Sequence, residues 1–165
     1  MAKDQSFDVV SQVDLQEVDN AVQQTVKELT QRYDLKDSGS TVTFDRTAGT
    51  ISLAAPSDFV LGQVKDVLDS KLVRRTIDLA AVSWAKIEAA SGGSSRRVGT
   101  VVNGIEADIA RRINKEIRDE KFKVKVQIEG DKVRVFSASR DELQAVIGFL
   151  KERDYEIPIQ FVNYR

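Results

Sequence analysis

Six side chains between Lys123 and Phe136 have the types and spacing to hold an anion beside an aromatic ring. Lys123, Lys125 and Gln127 alternate with Val124, Val126 and Ile128, and Lys132, Arg134 and Phe136 alternate with Val133 and Val135. A period of two puts one set on each face of a strand. Ammonium and guanidinium groups bind phosphate, the guanidinium in bidentate fashion, and a ring stacks on a base. The chemistry this predicts is recognition of a nucleotide or of single-stranded RNA. Lys125 and Arg134 are expected to reach one phosphate, with Phe136 beside them for the base. As surface groups, Arg134 and Phe136 should be replaceable by alanine with loss of binding and little change in stability. Against RNA, its recognition sheets carry two or three aromatics, and KVRVFSAS is not their signature. Basic residues also guard exposed strands against edge pairing.

A second candidate is Ser91-Gly92-Gly93-Ser94-Ser95 followed by Arg96 and Arg97. Its amides and guanidinium groups could face an anion, yet it lacks the Lys-Ser/Thr ending of a phosphate loop and opens no helix, so it reads as a linker. Arg96 and Arg97 would then flank a junction between two halves. Arg111, Arg112, Lys115 and Arg118 are interleaved with Glu106, Asp108, Glu116, Asp119 and Glu120, which reads as a salt-bridged surface. No carboxylates have metal-ligand spacing and no cofactor motif stands out.

There is no histidine and no cysteine. That removes the commonest general base, the thiol nucleophile and the commonest metal ligands, so a binding protein is expected rather than an enzyme. No apolar run has the length of a membrane span or a signal peptide, and a cytoplasmic location is expected. Net charge is −1, but residues 1–90 carry 10 basic and 14 acidic side chains while residues 91–165 carry 15 and 12. The excess of positive charge on the second half points the same way as the basic strand pair.

The elements that must position these residues are legible. Gly130-Asp131 falls between the two alternating segments as a hairpin turn. Ser139 followed by Glu142 has the form of a capping box, so a helix should start at Arg140. Earlier, Leu15, Val18, Val22, Val26, Leu29 and Tyr33 recur at helical steps behind Asp14 as cap. Strands are expected at 41–44 and 50–54, a helix behind Ser57, strands at 82–87 and 97–102, a helix from Ile105, and a last strand at 157–164. An offset of 82 residues superposes Val42, Phe44, Ile51, Leu53, Ser57, Leu61, Val64 and Leu68 on Val124, Val126, Val133, Val135, Ser139, Leu143, Val146 and Leu150. This is an internal duplication. Each half reads βαββαβ, so the fold class is α+β: two ferredoxin-like domains, 1–90 and 96–165, each a four-stranded antiparallel sheet with two helices on one face.

Several segments also carry a family likeness: Ser6-Phe7-Asp8-Val9-Val10-Ser11, Arg32-Tyr33-Asp34-Leu35-Lys36, Gly104-Ile105, Gly130-Asp131-Lys132-Val133-Arg134-Val135, Arg140-Asp141-Glu142-Leu143-Gln144 and Gln160-Phe161-Val162-Asn163-Tyr164-Arg165. With them the chain resembles the YajQ family of bacterial nucleotide-binding proteins. The resemblance implies that the first strands, 6–12 and 97–102, are exchanged between the two domains. It implies a non-enzymatic protein that binds ATP, GTP or cyclic di-GMP, with transfer RNA and transcription regulators as further partners. Val102-Asn103 and Phe136-Ser137 depart from the family's usual Lys-Gln and Thr-Gly.

Overall fold

The computed structural model describes residues 4–165. The chain divides into two units, Val13–Val102 and Met1–Gln12 with Asn103–Arg165.

In the unit Val13–Val102, helix α1 (Leu15–Gln31) starts where the Asp14 carboxylate accepts the free N–H groups of Gln16 and Glu17. Val18, Ala21, Val22 and Leu29 form its buried stripe. The stripe does not run on to Tyr33 as its spacing predicts. Arg32 leaves the helical conformation and its guanidinium closes on Asp34 at 2.9 Å, Leu35 turns into the core, and Tyr33 is left 92 % exposed. Strands β2 (Thr41–Asp45) and β3 (Thr50–Ala55) form a hairpin. Ser57 then accepts the N–H of Val60 at 3.2 Å and starts α2 (Asp58–Arg74). Strands β4 (Val82–Trp84), β5 (Glu88–Ala89) and β6 (Ser95–Val101) follow. The sheet order is β2-β3-β6-β4, antiparallel throughout, with β5 beside β6. Strand residues Val42, Ile51, Leu53, Val82 and Val101 alternate onto one face and pack under both helices. A fully buried leucine such as Leu68 contributes about 1.5–3 kcal/mol to that core.

The Ser91–Ser95 stretch is not a linker. Ser91–Gly93 makes a tight turn that joins β5 to β6, and Gly92 and Gly93 take left-handed φ of 74° and 78°. Glycine supplies left-handed backbone in tight turns as readily as it supplies flexibility, and composition alone cannot tell the two apart.

The other unit contains β1 (Gln5–Val10), α3 (Ala107–Asp119), β7 (Lys125–Glu129), β8 (Lys132–Ser137), α4 (Arg140–Lys151) and β9 (Gln160–Val162). Its sheet order is β7-β8-β1-β9, again antiparallel. Strand β1 therefore lies between β8 and β9, as β6 lies between β3 and β4 in the other sheet. Phe7, Val9, Val133 and Val135 face α3 and α4 and are fully buried. The duplication appears as matching local structure: Ser139 Oγ accepts the N–H of Glu142 at 3.3 Å, as Ser57 does for Val60. The second half of the expected capping box is absent. The N–H of Ser139 goes to Ser137 Oγ instead, and the Glu142 carboxylate accepts the N–H of Lys123.

Candidate functional site

The sheet face turned away from α3 and α4 carries Lys125, Gln127 and Glu129 on β7, and Lys132, Arg134 and Phe136 on β8. Register pairs Lys125 with Phe136, Gln127 with Arg134 and Glu129 with Lys132. Lys125 is thus directly across from the ring, and Arg134 is its diagonal neighbour.

Lys123, Lys125 and Phe136 line one shallow pocket of about 320 Å³, completed by Asp4, Phe122, Val124, Ser137 and Ala138. Ser137 Oγ donates to the carbonyl of Lys123 at 3.0 Å, so the outer end of β8 is tied to the segment entering β7. Both lysines are exposed and Phe136 is half-buried. Among the described residues neither lysine forms an ion pair, which leaves both charges available to a ligand.

Arg134 is engaged differently. On the register line β7-β8-β1 it faces Asp8, a carboxylate only 1 % exposed, and donates to it from Nε at 2.7 Å and from Nη2 at 3.3 Å. Its Nη1 lies 3.3 Å from Glu129. Asp8 also accepts from Asn163 Nδ2 at 2.8 Å and has Lys132 Nζ at 3.7 Å. The guanidinium beside it, together with Asn163 and Lys132, holds the Asp8 carboxyl down to about 2 against the opposing effect of burial. Arg134 is therefore a tie between strands, and its replacement by alanine must cost stability, contrary to the expectation for a surface residue. Asn163 reaches Asp8 from a bulge. The ladder between β1 and β9 pairs Asp8 with Val162, the next backbone pair joins Ser6 to Arg165, and Asn163 takes a φ of 57°.

Arg96 and Arg97 lie in the other unit, on β6, and not beside the points where the chain divides. Successive strand residues face opposite ways. Arg96, opposite Ala54 and Glu88, is exposed on the face away from the helices. Arg97 shares the helix side with Leu53, donates from Nε to the carbonyl of Ala85 at 2.7 Å, and stacks 5.7 Å from the centroid of Trp84. The structure thus gathers Lys123, Lys125 and Phe136, sets Arg134 beside them in an internal pair, and separates Arg96 from Arg97.

Asp8 is the residue that pattern reading overlooked. Its signal was a charge at an alternating position of Ser6-Phe7-Asp8-Val9-Val10, in a strand otherwise free of charge. Its partner is 126 positions away in the chain. On α3, Arg111 pairs with Asp108 and Arg112 with Glu116, the salt-bridged surface the interleaved charges predict. Among the described residues no cluster of three or more acidic side chains could hold a metal ion, and no helix is long and apolar enough to cross a membrane.

A family model described as nucleotide-binding protein YajQ-like matches residues 5–165. The chain belongs to this YajQ-like family. Among its relatives, a "Nucleotide-binding protein" of Alkaliphilus oremlandii is 49% identical over 165 residues, covering all of both chains. One of Desulforamulus reducens with the same description is 46% identical, covering 100% of this chain and 99% of the relative. Another, of Acidithiobacillus ferrooxidans, is 47% identical over 160 residues, 97% of this chain and 98% of its own. The YajQ-like match takes in β1 and the last residue alike, so it spans both units. The family's description names binding and no reaction.

Proposed function

We propose that this YajQ-like chain is a non-enzymatic nucleotide-binding protein whose ligand occupies the corner formed by Lys123, Lys125 and Phe136. The observation that carries the reading is the pairing of Lys125 with Phe136 at the mouth of a pocket with two uncommitted ammonium groups. A phosphate on Lys125 brings the attached nucleoside to the ring across the ladder, and Lys123, on the bend that enters β7 and lining the same pocket, is placed for a second phosphate. The volume of about 320 Å³ is at the lower end of small-molecule sites, enough for one nucleotide. A cyclic dinucleotide such as cyclic di-GMP would seat one base on Phe136 and extend the other along the sheet. A single ring suits a nucleotide better than a strand of RNA, whose successive bases need successive platforms.

Calorimetric titration with ATP, GTP, cyclic di-GMP and a transfer RNA, each at low and high salt, tests this. A nucleotide should bind with a shallow salt dependence, because few counterions are released, whereas RNA affinity would fall steeply. Phe136→Ala should weaken nucleotide binding by about 1–3 kcal/mol, the usual worth of base stacking on an aromatic. Lys125→Ala should weaken it about tenfold. If both variants bind nucleotide as the parent does, the corner is ordinary surface and the assignment of the site fails.

A further inference from the structure

The two lysines of the corner are held in different ways. Lys125 opens β7 and is fixed by the ladder, where it pairs with Phe136. Lys123 lies outside the ladder. It is the central residue of a tight turn closed by the N–H of Val124 on the carbonyl of Phe122 at 2.9 Å. Both of its own backbone groups are taken by side chains at the entry to α4. Its N–H donates to Glu142 Oε2 at 3.1 Å, and its carbonyl accepts from Ser137 Oγ at 3.0 Å.

These ties account for the unusual cap of α4. In a capping box the glutamate returns to the N–H of the cap residue. Here Ser137 Oγ accepts the N–H of Ser139 at 3.1 Å, which leaves the Glu142 carboxylate free to hold Lys123 instead. Ser139 Oγ in turn accepts the N–H of Glu142 and fixes the turn from which that carboxylate reaches out. The apolar side of the bend is anchored separately, by Phe122 against Phe149 of α4 with ring centroids 5.6 Å apart. Losing the polar ties should therefore loosen Lys123 without releasing the segment.

We propose that Ser137 and Glu142 are positioning residues of the nucleotide corner, which hold the Lys123 bend so that its ammonium meets the second phosphate of a nucleotide. This role rests on the corner being the nucleotide site. A mobile residue must be ordered when the ligand arrives, and a bend already fixed spares the backbone part of that cost. AMP, seated on Lys125 and Phe136, has no phosphate to give Lys123 and gains nothing from the ties. ADP and ATP gain. The preference for ATP over AMP is thus the quantity that Ser137 and Glu142 set. Charge alone predicts the opposite for Glu142, since removing a carboxylate from beside a phosphate should tighten binding.

Calorimetric titration of the full chain with ATP, ADP and AMP tests this. Lys123→Ala should lose about tenfold in ATP affinity, the scale of one charge-assisted hydrogen bond, and keep its AMP affinity within about twofold. Ser137→Ala and Glu142→Ala should lose most of the same factor for ATP and as little for AMP. Glu142→Gln keeps an oxygen to accept the Lys123 N–H and removes the charge, so it should hold the parental preference for ATP or exceed it. Amide exchange at Lys123 should quicken in Glu142→Ala and not in Glu142→Gln. Tighter ATP binding by Glu142→Ala would overturn the positioning role, as would an ATP-to-AMP ratio in both alanine variants equal to the parent's. Equal losses for ATP and AMP would overturn it too, because they mark general damage to the sheet. Ser137 is only 7 % exposed, and if its variant fails to fold, the Glu142 pair decides alone. Lys125→Ala and Phe136→Ala read the corner itself. If these two weaken binding while the Ser137 and Glu142 variants keep the parental ratio, only the positioning role fails; if these two bind as the parent does, the corner fails and the role with it.

Discussion

Arg134 stands directly across from Asp8 on the adjacent strand and grips its carboxylate with two donors, Nε at 2.7 Å and Nη2 at 3.3 Å. The pair joins the central strand of one sheet to the hairpin that carries the candidate site, and it sits on the face where the ligand is proposed to bind. Removing the arginine leaves a carboxylate that is 1 % exposed with Asn163 and Lys132 as its remaining partners among the described residues. Breaking a buried ion pair from one side costs about 3–5 kcal/mol, and these two remaining partners place Arg134→Ala at the lower end, about 3 kcal/mol. Lys125→Ala, on the same face without an ion pair, should stay within about 0.5 kcal/mol of the parent. Urea unfolding of the two variants side by side checks the contrast.

The same pair makes stability depend on acid. The folded-state pKa of Asp8 is lowered from 3.8 to about 2, so the folded protein binds this proton less readily than the unfolded chain does. The stabilisation is complete above about pH 4 and is lost as pH falls through about 2, a contribution of about 2 kcal/mol. Glu116, whose carboxyl is also held low by Arg153 and Tyr155 despite its desolvation, acts with the same sign. The urea midpoint should therefore drop between pH 5 and pH 2.5, and Asp8→Asn should flatten part of that drop.

Gly99 has no room for a side chain. A Cβ there would lie 2.6 Å from Val82 Cγ1 and 2.8 Å from Trp84 Cε3, and the ring is held between strand and helix with Lys65 and Arg97 at its faces. Gly99→Ala should destabilise the unit Val13–Val102 by about 1–3 kcal/mol, the usual cost of overpacking. Trp84 is the sole tryptophan, so a change in fluorescence maximum reports the displacement directly.

Cutting the chain separates complete from incomplete sheets. Residues 13–102 contain every strand of the sheet β2-β3-β6-β4, whereas residues 1–90 lack β6, which pairs with both β3 and β4. The first fragment should give a dispersed amide spectrum and a cooperative melt. The second should be unfolded or aggregated, since β3 and β4 would expose unpaired edges. A folded 1–90 fragment would mean that these strands can pair in another order.

Much of this architecture could be read from local pattern. Val124 to Val135 alternate, Gly130-Asp131 turns, and Ser57 and Ser139 cap helices at equivalent points, because each rests on residues within a few positions of one another. What lay beyond reach was pairing across distance. Nothing in Asp8 or Arg134 alone announces the other, and a strand with one buried charge looks like a strand with one exposed charge until its neighbours are known. The Ser91–Ser95 stretch misled for a different reason, since a tight hairpin turn and a flexible tether use the same small residues. The candidate corner was legible as a row of cations and a ring. Which of those cations was already engaged was not.

The position of β1 in its sheet has a consequence for how the protein is made. Phe7, Val9 and Val10 leave the ribosome long before their partners on β8 and β9 are synthesised. At elongation rates of about 5–20 residues per second, this apolar segment waits on the order of ten seconds for somewhere to go. The intervening residues 13–102 can fold in that interval, so the nascent chain carries a finished body beside a sticky, unpaired β1. Slow translation of the segment from α3 to β9 should lengthen that exposure, and holdase chaperones should engage the chain at β1 rather than at β9.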